Sequence, residues 1–118
     1  MRLLVDGTAV AALEVADTAR TRRRGLLGRD GLDGALWLRP CGQVHSIRMR
    51  FPIDVAHLDR DGVVLRVLTL RPGRLGPVVL RGRSVVEAEA GRFAEWGVRP
   101  GVRLGVEDED THALHQDR

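Results

Sequence analysis

Along most of this chain apolar residues occur in short runs or at alternate positions, broken at close intervals by Gly, Pro or Asp. That is the signature of many short β-strands joined by tight turns. Leu3 to Val5 and Val10 to Val15 flank Asp6-Gly7, a dipeptide suited to a hairpin turn. Asp17 or Thr18 can cap a helix that runs to about Arg29, with Ala16, Ala19, Leu26 and Leu27 as its apolar stripe and Gly25 and Gly28 weakening it. Ala35 to Leu38 begins a strand that Pro40 ends. Ile53 to Leu58, the turn DRDG and Val63 to Leu70 form the clearest hairpin of the sequence. Val78 to Leu80, Ser84 to Ala90 and Val102 to Val106 supply further strands, and residues 91–97 a helical turn around Phe93 and Trp96. The expected architecture is mainly β: a small single-domain β-sandwich or barrel with one main helix near residues 18–29.

Length and composition sharpen this picture. At 118 residues the chain makes one domain, able to bury about two-thirds of its unfolded surface without disulfide or metal. Apolar residues make up 43% but aromatic ones only 3%, so Val, Leu and Ala must build the core. The single Cys41 excludes an internal disulfide. No segment reaches the roughly twenty apolar residues of a membrane span. Asp6, Gly7 and Glu14 interrupt the amino-terminal run that a signal peptide would need. A soluble cytoplasmic protein is expected.

All nineteen basic residues are arginine, and Lys, Asn and Tyr are absent, as GC-rich coding produces. Net charge is +3; residues 107–118 hold five acids and one arginine, or −4, which leaves +7 on residues 1–106. The expectation is a basic β-rich domain over 1–106 and an acidic, disordered tail over 107–118.

Three stretches carry a family resemblance: RRRGLLGRDGL, VHSIRMRFPIDVAHLDRDGVVLRV and SVVEAEAGRFAEWGVRPGVRL. They resemble the prokaryotic family catalogued as domain of unknown function 192. Its Gly-Leu-Met, Pro-Leu-Asp, turn glycine and late Leu-Glu followed by glycine correspond here to Gly25-Leu26-Leu27, Pro52-Ile53-Asp54, Gly62, and Val86-Glu87 followed by Gly91. The resemblance implies a compact, mostly β fold of jelly-roll character and no particular activity. The chain departs from the pattern at His45-Ser46-Ile47-Arg48-Met49, a form associated with a high-GC bacterial branch, and at His57 and Val102.

The densest chemistry lies between Cys41 and Gly62. Asp54 stands between Ile53 and Val55 in a strand that should be buried, so it needs a partner; Arg22, Arg23 or Arg24 can supply a bidentate guanidinium to it or to Glu87. Cys41, His45 and Met49 recur every fourth residue and would suit a soft ion. Without a fourth ligand or a paired spacing, packed core residues are the preferred reading; no metal and no cofactor is expected. Glu87 and Glu89 share one strand face at glycosidase-like separation, although alternating acids on a wet strand face are far commoner. Nucleic-acid binding is disfavoured, because the arginines are not interleaved with aromatic residues for base stacking.

The resulting expectation is a non-catalytic binding or accessory module, with Arg24, His45, Arg48, Asp54 and Glu87 lining a cleft for a small polar or anionic ligand. One alternative is a small hydrolase or transferase using Asp54 or His45 as acid or base. Another is a protein-interaction domain with an exposed patch at Trp37 or Trp96. Ligand identity and oligomeric state are not readable from the residues.

Overall fold

The computed structural model describes residues 1–108. Among these residues seven strands form one sheet: β1 (Arg2–Val5), β2 (Thr8–Ala16), β3 (Ala35–Leu38), β4 (Ile53–Leu58), β5 (Val64–Leu70), β6 (Ser84–Glu89) and β7 (Leu104–Glu107). Their order across the sheet is β5-β4-β6-β3-β2-β1-β7. Only β2 and β3 pair in parallel; the other neighbours are antiparallel. Two short helices, α1 (Ala19–Arg24) and α2 (Arg92–Trp96), complete the architecture.

The mainly β expectation is therefore met, and both expected hairpins are present. Three details differ. The helix stops at Arg24, because Gly25 turns the backbone to φ 46° and its amide bonds back to the Thr21 carbonyl; Leu26 and Leu27 belong to the following turn. Residues 78–80 form no strand, being held between Gly76-Pro77 and Gly82 in an irregular loop. Glu107 lies in β7, paired with Arg2, and the tail expected beyond it falls from residue 109 onward outside the described residues.

The three central strands β3, β4 and β6 are buried on both faces, so their alternation sorts side chains into two apolar layers. Trp37, Ala56, Leu58, Val86 and Ala88 meet Leu3, Leu13, Phe93 and Leu104 on one side. Leu36, Leu38, Ile53, Val55 and Val85 meet Leu26, Leu32, Val44, Met49 and Phe51 on the other. The first layer is enclosed because the sheet bends until its edge strands touch. Val63 bridges Arg103, the Val64 amide donates to the Val102 carbonyl at 2.8 Å, and the Leu104 amide donates to the Gly62 carbonyl at 2.8 Å. This contact joins the edges at one end only, and the sheet is not closed into a barrel.

Gly62 is required at that junction. Its φ is +84°, and a Cβ there would lie 2.6 Å from the Leu104 carbonyl oxygen. Gly62→Ala should cost about 2 kcal/mol or more in denaturant unfolding, from backbone strain plus the clash; an unchanged midpoint would show that the edges do not meet as described.

Candidate functional site

Parity along β4 and β6 decides where the two acidic candidates point. Asp54 shares its face with Ala56 and Leu58, whereas Glu87 shares its face with Val85. The two carboxyls therefore lie on opposite sides of the sheet. The cleft expected to contain both contains only Glu87.

Asp54 is buried, and its expected guanidinium partner is absent. Its carboxylate accepts from the Thr69 hydroxyl at 2.8 Å, the Gly91 amide at 2.9 Å and the Phe93 amide at 3.1 Å. Thr69 is directly opposite Asp54 in the β4–β5 register. Gly91 and Phe93 lie at the start of α2, whose first turn has no side-chain cap of its own. Asp54 thus ties β4, β5 and α2 together, and its hydrogen-bonding capacity is committed inside the fold.

Glu87 is only 4% exposed. Its cross-strand neighbours are Leu36 on β3 and Val55 on β4, and no hydrogen bond or ion pair to its carboxyl is present among the described residues. Burial in this apolar setting pushes its pKa from 4.5 to about 7, since desolvation penalises the charged form. Glu89 behaves differently: its Oε1 accepts from the Leu32 amide at 2.9 Å. The two glutamates therefore do not act as a matched acid pair.

Glu87 lines a cleft of about 290 Å³ between α1, the turn after it and the segment from Leu38 to Met49. Arg22, Arg23 and Arg24 line one side, and Cys41, Gln43 and His45 the other. The apolar walls include Leu26, Leu38, Val44 and Met49. Arg22 is partly committed, donating to the Asp17 carbonyl at 2.9 Å and the Arg39 carbonyl at 3.3 Å. Cys41 Sγ donates to the Gln43 carbonyl at 3.4 Å. Burial, with Glu87 acting against the thiolate, pushes the Cys41 thiol up, although the Gln43 contact and the Arg22 charge oppose the shift. A thiol so placed is a weak nucleophile. His45 is exposed at the rim, where its Nδ1 accepts from the Ile47 amide at 3.3 Å.

Of the five residues expected to bind ligand, the cleft brings together Arg24, His45 and Glu87. Asp54 faces away, and Arg48 is exposed on the neighbouring loop with φ 66°. Cys41, His45 and Met49 do share the cleft, but Met49 is buried in an apolar layer. No cluster of three or more His, Cys, Asp or Glu side chains suited to a metal ion forms among the described residues. Trp37 is buried and Trp96 half-buried against the core, so neither makes the exposed patch expected of an interaction domain. The large apolar residues that are exposed include Ile47, Leu75, Val78 and Leu80. The walls Gln43 and Val44 had no signal of their own in the sequence, whereas Leu26 stood out there only as an apolar position.

The family described as Uncharacterized ACR, domain of unknown function 192, matches residues 1–106. The chain belongs to that family. A protein of unknown function from Novosphingobium aromaticivorans has a similar structure, with TM-score 0.77 and 21% identity over 89% of this chain and 84% of that one. A proposed transcription regulator from Sinorhizobium meliloti is also similar, with TM-score 0.66 and 18% identity over 88% and 91% of the two chains. At these identities the likeness is one of fold. No curated protein matches the chain.

Two measurements check the contrast between the acids. Asp54→Ala should destabilise the protein by about 2 kcal/mol or more, because it strands the buried Phe93 amide and removes the charged acceptor it shared with the more exposed Gly91 amide and Thr69 hydroxyl; retained stability would remove the tie between β4 and α2. Glu87 acts in the opposite sense. Its folded pKa lies above 4.5, so its contribution is fully present below that pH and is lost as pH rises to about 7 and beyond. The shift corresponds to about 3 kcal/mol. Urea unfolding of the protein and of Glu87→Gln at pH 4 and pH 8 should show the variant gaining that amount over the parent at the higher pH; parallel pH profiles would contradict the burial account.

Proposed function

We propose that this domain is a binding module whose cleft takes a small molecule carrying an anionic group and at least one hydroxyl or amide. The supporting observation is Glu87, a buried carboxyl without a protein partner at a cleft whose rim carries arginines. An uncommitted buried polar group is costly in the empty protein, and a ligand that hydrogen-bonds to it recovers that cost. Arg23 and Arg24 suit an anion through charge and forked donors. The small volume favours a compact ligand, since drug-sized molecules occupy about 300–1,000 Å³. Asp54 and Arg48 are not assigned to the ligand, and His45 stands at the entrance.

Acid–base catalysis is the second reading, and one observation favours it: a carboxyl titrating near 7 is suited to proton transfer at neutral pH. In that reading the acid–base group is Glu87, because Asp54 is committed to α2 and Thr69.

A thermal-shift panel of small carboxylates, sugar phosphates, nucleotides and polyols tests the binding reading. A ligand at a hundredfold its Kd should add about 2.7 kcal/mol to stability. Its effect should disappear in Arg24→Gln and weaken as pH rises through 7, because ionised Glu87 repels an anion. The absence of any stabilising compound, or binding undiminished in Arg24→Gln, would refute the proposal.

A further inference from the structure

A second surface, separate from the cleft floor, combines exposed aliphatic side chains with unpaired arginines. Leu80 is 87% exposed, Val78 71%, Leu75 68% and Ile47 48%. Single exposed leucines are ordinary, but contiguous apolar patches mark interaction sites. These residues sit on two segments that the backbone holds side by side. His45 bridges Leu75, the Ser46 amide donates to the Arg74 carbonyl at 2.7 Å, and the Gly73 amide donates to the Ser46 carbonyl at 2.8 Å. The buried Ser46 hydroxyl donates to the Arg71 carbonyl and accepts from the Arg74 amide. At the other end of the loop the Arg83 amide donates to the Leu58 carbonyl at 2.8 Å. The loop from Arg71 to Arg83 is thus pinned at both ends while its tip projects aliphatic side chains.

The two segments that build this surface carry charge of one sign. No Asp or Glu occurs from Gly34 to Ile53 or from Gly62 to Val86. Arg48, Arg71, Arg74 and Arg81 are exposed, and none of them is paired with a carboxylate among the described residues. Arg48 and Arg81 hold left-handed backbone at φ 66° and 68°, a conformation that glycine adopts more readily. Arginine nevertheless occupies both places.

We propose that this loop docks on the surface of an anionic lipid bilayer, with Leu75, Val78 and Leu80 entering the acyl boundary and the arginines meeting headgroup phosphates. Aliphatic burial and electrostatic attraction to anionic lipid together set such binding. Each basic side chain at the surface adds about fivefold, and guanidinium pairs well with phosphate oxygens. A nucleic-acid strand would leave the aliphatic residues unused, and the patch has no aromatic residue on which bases could stack. A second copy of the chain packed about a twofold axis would set arginine against arginine.

Flotation of the full chain with vesicles tests this directly. The protein should rise with vesicles of mixed phosphatidylglycerol and phosphatidylcholine, not with phosphatidylcholine alone, and the association should fall with added salt. Val78→Asp with Leu80→Asp should reduce association about tenfold or more by removing the inserted aliphatics, with no change in melting temperature, since both side chains are exposed. Arg81→Gly should lower it about fivefold while suiting the left-handed backbone there. Glu87→Gln should float as the parent does, which separates this proposal from the cleft. No association with anionic vesicles at low salt, as an acidic protein partner would give, overturns it. So does association that survives the double aspartate variant, which would reveal a site for polyanions generally.

Discussion

The organising constraint is burial of β3, β4 and β6 on both faces. Each residue on these strands faces an apolar layer, so every polar group there must find a partner or bear the cost of desolvation. Asp54 and Glu87 meet this constraint in opposite ways. Asp54, facing the enclosed layer, receives a hydroxyl and two amides, and the start of α2 is built around it. Glu87, facing the other layer between Leu36 and Val55, receives nothing from the described residues. Structure explains the first carboxylate completely. The second is a local inconsistency of the kind that sites of function display.

The cleft follows from how the outer layer is covered. A helix that ends early at Gly25 and an irregular segment from Arg39 to Met49 approach the sheet without closing over Glu87. Arginines on α1 face that gap, so an acid that is reluctant to ionise lies beneath a positively charged rim. Cys41 shares the gap with its thiol pushed up by burial, which makes it a wall. The loop from Arg71 to Arg83 reaches the same region through the contacts of Ser46 and His45, which place its first residues beside the cleft entrance.

Much of the fold was legible in the sequence because alternation and turn chemistry are local. Asp6-Gly7 and Asp59 to Gly62 mark their hairpins, and the burial of Asp54 follows from its apolar neighbours. Strand pairing is non-local, and two errors come from that; a third, the length of α1, is local and turned on Gly25 adopting positive φ. The strand expected at 78–80 has no neighbour to pair with. The grouping of Asp54 with Glu87 failed on parity: one carboxyl sits at an even position of β4 and the other at an odd position of β6, and only the register, Asp54 to Ala88 and Val55 to Glu87, shows that they face apart. Arg24, His45 and Glu87 line one cleft because α1 and the segment after β3 cover the same sheet face. The acidic alternation of Glu87 and Glu89 looked like a wet edge, whereas β6 lies between β3 and β4.

The central claim is that Glu87 is buried against Leu36 and Val55 without a partner to stabilise its charge. Carbon-13 NMR titration of the glutamate side-chain carboxyls, with the Glu87 resonance assigned by its loss in Glu87→Gln, measures this directly. The account predicts a midpoint near 7, well separated from exposed glutamates near 4.3. A Glu87 midpoint in that ordinary range would show a solvated or ion-paired carboxylate and contradict the account.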